Sequence, residues 1–224
     1  MAKQVYPYQE TDTLIRNWLG TDAEVEDIAP RRSPGRRRRG SGGGKCGYGK
    51  TTSELPRLTP SQIKQNQPFI AKVKQVAASL KVKPEYLMGI MQIESASTFS
   101  PEVVNDLCFV GLIQFGSGAA SDLKTTQEAL SKMTDVEQMN YVEKYFRFWK
   151  LKPNSPPSSI YTAVFLPKFT NKPDNFIFAT KDDDPNDWWK QNPGLRDNSR
   201  ADKAIWKGHL GKLVMEKAVN YVGM

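Results

Sequence analysis

A chain of 224 residues with 32 Lys and Arg against 24 Asp and Glu, net charge +8, is long enough for one sizeable core and an appendage. Its single histidine, His209, is read as arguing against a His-based catalytic triad, and two cysteines beside one histidine argue against a structural zinc site. The whole charge excess lies between Arg31 and Lys50, where six arginines and two lysines meet no acid. The rest of the chain is therefore neutral, and the high pI says nothing of a basic face on a folded domain.

In chain order, residues 1–30 are acidic and carry a short amphipathic patch at Leu14, Ile15, Trp18 and Leu19. They lack the basic start and apolar run of a Sec signal. Residues 31–54 form an Arg/Gly-rich basic linker or docking tail, of a composition that buries too little apolar area to offset its ordering entropy. From residue 55 to 224 the pattern predicts one mainly α domain, with a C-terminal extension over about 169–224. Thr59-Pro60 reads as an N-cap followed by proline at the first helical position, and Ile70, Val73, Ala77 and Leu80 line one helical face. Pro84 opens a second helix with Leu87, Ile90, Met91 and Glu94 on one stripe.

Two capping boxes follow, Thr125 with Glu128 and Thr134 with Glu137. The second starts a helix that turns Val136, Met139, Val142, Phe146 and Trp149 inward. A shorter helix is predicted over Ser158 to Phe165 and a last one from about Ala201 to Val222. Strand patterns are scarce. Cys46, in a glycine-rich run, and Cys108, in an apolar patch, imply no disulfide framework, and Met88, Met91 and Met133 read as core.

A carboxylate closing an apolar stripe, as Glu94 does, sits at the core's edge, where desolvation raises its pKa toward what a general acid needs. Alone, a glutamate at a helix end is more commonly a surface residue. Its neighbours shift the reading. The run IESASTFSPEVVND contains Glu94-Ser95 and Phe99-Ser100-Pro101, and Gly111-Leu112-Ile113-Gln114-Phe115 begins seventeen residues after the glutamate. This order resembles the soluble lytic transglycosylases and goose-type lysozymes. LMGIMQIES, TTQEALSKMTDVEQMNYVEKYF, YTAVFLPKFTNKPDNFIF and WWKQNPGLRDNSRADK resemble the phage-encoded branch, so the likeness spans about residues 57–215.

The resemblance implies a lysozyme-like fold behind an extended N-terminal tail, and cleavage of peptidoglycan between N-acetylmuramic acid and N-acetylglucosamine. Glu94 would be the single acid/base, Gln114 a sugar contact, Ser95 a substrate-side residue that orients the loop behind Glu94, and Phe115 and Tyr161 further substrate-binding positions. One carboxylate suffices where the substrate's acetamido group assists; hydrolysis would want a second, and Glu102 and Asp106 lie on the intervening loop. No cofactor or metal is implied. The partners implied are peptidoglycan and, through residues 1–52, phage structural proteins, in a virion tail or released on host lysis. The chain departs from the family at Gly116-Ser117, where relatives commonly have Met-Pro, and at the family tyrosine near the glutamate, whose place falls to Tyr161 or to Phe165. The alternative is a structural virion or adaptor protein that keeps the fold with little activity.

Several weaker signals compete. Gly44 to Thr51 matches the phosphate-loop pattern, but an arginine-rich coil precedes it and Pro56 follows, so neither flank fits. The run Arg36 to Arg39 suits phosphates of nucleic acid or teichoic acid, an acidic protein face, or plain solvation. A calcium loop starting at Asp197 fails at Asp202 and Gly208, where glycine and glutamate are required. Trp188 and Trp189 could stack on sugars but read first as packing residues.

Overall fold

The computed structural model describes residues 46–184 and 186–224. The acidic segment 1–30 and most of the basic run, with every expectation placed on them, lie outside the described residues. Within them the chain is mainly helical, as expected.

Helix α1 (Pro60–Gln65) opens on a capping box: the Thr59 hydroxyl accepts from the Gln62 amide and the Gln62 side chain accepts from the Thr59 amide. α2 (Gln67–Leu80) starts after a break at Asn66 that apolar spacing did not show. Pro68 brings no N–H and crowds the carbonyl four residues back. Asn66 therefore restarts the helix, accepting from the Phe69 amide and donating its own amide to Asp135 at 2.7 Å. α3 (Pro84–Glu94) buries Leu87, Met88, Ile90 and Met91. Met88 and Met91 are core as expected, while Met133 is only partly buried against it.

β2 (Val103–Val104) pairs in parallel with β1 (Lys50–Thr51). Then come α4 (Ser117–Asp122), α5 (Gln127–Ser131) and α6 (Asp135–Phe148). The box Thr134–Glu137 is present at α6. The one expected at Thr125 is not: Thr126 caps α5 through the Ala129 amide, and Glu128 pairs with Lys132. α7 (Pro157–Phe165) starts one residue before its predicted bound.

In the C-terminal part, β3 (Ile177–Ala179) pairs antiparallel with β4 (Ile205–Trp206), and α8 (Trp188–Gln191) lies between them. α9 (Lys207–Ala218) therefore begins six residues after the predicted start at Ala201, because residues 205–206 are held in the β3 pairing. α9 packs on α3 and α7. Gly89 permits the first contact, since a Cβ there would lie 2.8 Å from the Val214 carbonyl. No helix among the described residues is long and apolar enough to cross a membrane.

One expectation about covalent structure is corrected. Cys46 and Cys108 form a disulfide. Sequence spacing cannot reveal a bridge between residues 62 apart. The same contact corrects the inner bound of the basic tail: residues 46–54 are tied to the 102–108 loop by β1, by the Tyr48 hydroxyl donating to the Cys108 carbonyl at 2.9 Å, and by a Lys50–Glu102 ion pair. The phosphate-loop match dissolves here too, because Lys50 and Thr51 form a strand, and the next helix is α1.

Candidate active site

Glu94 is the last residue of α3, and the turn beyond it is fixed from below. Ser95 is fully buried; its hydroxyl donates to the Met91 carbonyl at 2.6 Å and accepts from the Phe99 amide at 3.0 Å. Thr98 adds a bond to the Ser95 carbonyl. These contacts hold a chain that passes through the left-handed region at Ala96, Ser97 and Phe99, which L-residues enter only at a cost. The expectation that Ser95 meets substrate is therefore corrected: it has no surface, and it positions the turn behind Glu94.

The Glu94 residue keeps partial solvent access, while its carboxyl lies deep enough among protein atoms to be strongly desolvated. The carboxyl is the titrating group, so its surroundings decide, and desolvation pushes its pKa up to about 7. The Tyr161 hydroxyl donates to this carboxyl and pulls the other way, but one neutral donor does not offset the burial. Tyr161 is itself buried on α7, and burial together with the neighbouring carboxylate charge raises its pKa well above the usual value. Tyr145, from α6, is raised too, by burial first and then by Glu94. Three helices thus converge on one proton. Of the two positions left open for a tyrosine beside the glutamate, Tyr161 holds it. Phe165 faces Phe178 instead, edge to face at 5.9 Å.

The loop acids do not join the site. Glu102 is paired with Lys50 at 3.0 Å, Asp106 is exposed, and the shift at Glu94 has burial and Tyr161 as its only causes. A lone carboxyl that keeps its proton near neutrality, with a phenol ready to stabilise the anion once the proton leaves, is equipped for general acid/base work.

The 103–116 segment folds as a small bridged element, with Val110 paired to both Val104 and Phe115. Gly111 sits at φ 82, and a Cβ there would strike the Gln138 side chain, so glycine is required. Gln138, wholly buried on α6, accepts from the Leu112 amide at 2.7 Å and donates to the carbonyls of Leu130 and Pro101. This rivet went unread in the sequence, where Val136, Met139, Val142, Phe146 and Trp149 marked the inward face and Gln138 was given no role.

Gln114 is partly exposed at φ 53. Its amide nitrogen is committed to the Gly111 carbonyl at 3.0 Å, which leaves Oε1 without a donor among the described residues. Phe115 is buried edge to face on Tyr145, which corrects its expected role as a substrate contact. The Phe109 ring lies against Gly116, where a Cβ would approach to 2.9 Å.

No family model and no curated protein matches this chain.

The remaining expectations resolve locally. Trp189 lies under the Arg196 guanidinium, 3.6 Å from its ring centre, and donates to the Lys203 carbonyl, while Trp188 packs on Phe169. Asp184 accepts from the Trp189 and Lys190 amides. A cavity of about 560 Å3 opens elsewhere; none of Glu94, Gln114 or Tyr161 lines it.

Proposed function

We propose that this protein cleaves the glycan strands of peptidoglycan through Glu94, on a lysozyme-like fold of the lytic-transglycosylase kind, as part of a phage particle or released at lysis. The observation that carries the reading is the Glu94 carboxyl, desolvated to a pKa of about 7 and bonded by Tyr161, in the sequence setting Glu94-Ser95 and Gly111 to Phe115.

Protonated Glu94 gives its proton to the glycosidic oxygen as the bond from that oxygen to muramoyl C1 breaks. The positive charge at C1 is met by the substrate's own acetamido oxygen, so one protein carboxylate suffices, in keeping with Glu102 being held by Lys50. The Glu94 carboxylate, still accepting from Tyr161, then takes a proton from the muramoyl C6 hydroxyl, closing an anhydro ring, or from water. Gln114 offers its Oε1 to a sugar hydroxyl or amide. The Phe109 ring, lying over Gly116, supplies apolar surface where relatives carry methionine.

Zymography on peptidoglycan decides this: wild type clears and Glu94→Gln does not, whereas equal clearing by both defeats it. Mass spectrometry of the released muropeptides separates anhydro from reducing ends. A second reading, a structural virion protein with little activity, draws on the burial of Ser95, Phe115 and Tyr161, which removes three expected sugar contacts and leaves Tyr161 only its contact with Glu94. Proteomics of purified particles tests carriage, and strong lysis by a protein that joins no particle counts against that reading.

A further inference from the structure

Ser159 and Tyr161 point roughly 200° apart around α7, given about 3.6 residues per turn, so the helix face opposite the Glu94 contact is a separate place. The cavity of about 560 Å3 opens there, within the size range of small-ligand sites. Its floor is Lys207, Ser155 and Ser159, all buried; Lys150 and Lys152 stand exposed on its rim, and Trp149 gives it an apolar wall. No acid lines it.

Lys207 is the unusual member. Its side chain is 4% exposed, and its ammonium donates to the carbonyls of Thr170 at 2.7 Å and Lys172 at 2.6 Å. Asp174 comes no closer than 4.0 Å, with its carboxylate largely in solvent and accepting from Ser158. An ammonium has three donors, so one has no acceptor at hydrogen-bond distance among the described residues. Burial lowers the Lys207 pKa, as the desolvation of a cation must, and the solvent-facing Asp174 carboxylate 4.0 Å away offsets this only in part. A buried cation in this state is stabilised by an anion that can enter the cavity. The amides of Asn154 and Asn171, also in its lining, make no side-chain hydrogen bond to the described residues and add donors of the same sense.

We propose that this cavity is a second ligand site, separate from Glu94, which takes one carboxylate-bearing, peptide-substituted amino sugar, with the carboxylate on Lys207 and the sugar against Trp149. One deep ammonium with two at the rim marks a single anionic point, not the cationic track that a nucleic acid or a phosphate polymer needs. The choice of a sugar peptide rests on the glycan-cleaving reading; the anion site itself does not.

The test uses the full chain, titrated by calorimetry and by amide NMR with N-acetylmuramoyl-L-alanyl-D-isoglutamine, which carries one free γ-carboxylate, with the analogue in which that γ-carboxyl is also an amide, and with inorganic phosphate. The acid is expected to bind and the amide to bind at least about tenfold more weakly, as for loss of one charged hydrogen bond. Lys207→Met should lose a similar factor. Because that variant also breaks the link to Thr170 and Lys172, the double rim variant Lys150→Ala/Lys152→Ala, on exposed positions, provides a second measure, with about threefold weakening at low salt. Equal binding of acid and amide overturns the proposal, as does a rim variant with unchanged affinity. Phosphate that competes as strongly as the sugar peptide overturns the ligand assignment. Glu94→Gln separates the two claims: it should bind the probe as wild type does. Clearing by wild type without probe binding sinks this site alone; probe binding without clearing sinks the enzymatic reading alone.

Discussion

Glu94 and Asp197 are both carboxyls held in the protein interior, and their pKa values move in opposite directions. Asp197, 3% exposed, accepts from the Ser199 hydroxyl, the Ser199 amide and the Trp206 indole, and lies 3.7 Å from the His209 ring. These contacts, the Ser199 hydroxyl first, hold it down at about 2 against the desolvation that pushes the other way. Glu94 has one donor, Tyr161, and rises to about 7. Desolvation outweighs the single donor at Glu94, whereas the donors and the nearby imidazole outweigh it at Asp197, and this balance separates a structural anion from an acid ready to give up a proton.

The contrast breaks first at Glu94 itself. Glu94→Gln keeps the size and the bond to Tyr161 but removes the proton, and glycan clearing should fall by about 10²–10⁴-fold, the usual contribution of a general acid; turbidity assays on cell walls measure it. Next in size is the frame around the site. Reduction of Cys46–Cys108 opens a loop of sequence separation 62, for which chain entropy gives up to about 4 kcal/mol; melting with and without reductant checks this. Asp197→Asn leaves donors facing a neutral amide and should cost about 1–3 kcal/mol, read by urea titration.

The two acids should also give opposite pH slopes. The folded pKa of Asp197 is depressed, so its contribution is present above about 3.8 and lost as pH falls toward about 2. That of Glu94 is raised, so the stability at stake is present below about 4.5 and lost as pH rises through about 7. Glu94→Gln should thus melt near wild type at pH 4.5 and above it at pH 8, and wild-type clearing should decline as pH rises past about 7. The smallest effect is Tyr161→Phe. It removes the donor that favours the charged form, so the alkaline limb of the activity profile should move upward, with an activity loss of about tenfold or less.

Much of the fold could be read locally. The stripe of α3 and the box at Thr134 rest on neighbours three or four residues apart and stand as expected, and α7 starts within one residue of its predicted bound. Two misses, the break at Asn66 and the cap at Thr126, are local, and the rest involve partners distant in sequence. The Trp206 pairing with Ile177 shortens the last helix, Cys108 finds Cys46, and Gln138 reaches the backbone at Leu112. The site divides the same way. Glu94 was marked by its helix, whereas the choice between Tyr161 and Phe165 depended on which face of α7 turns toward α3, and the interior positions of Ser95 and Phe115 on how the 95–116 segment packs.

The bridge between Cys46 and Cys108 makes residues 46 to 108 a covalent ring, with Glu94 inside it. A protease that nicks the exposed turn at Ser53 and Glu54 would leave both pieces joined, giving one band on a non-reducing gel and two after reduction. A single cut inside the ring would therefore leave the segment that carries the acid tethered to both fragments.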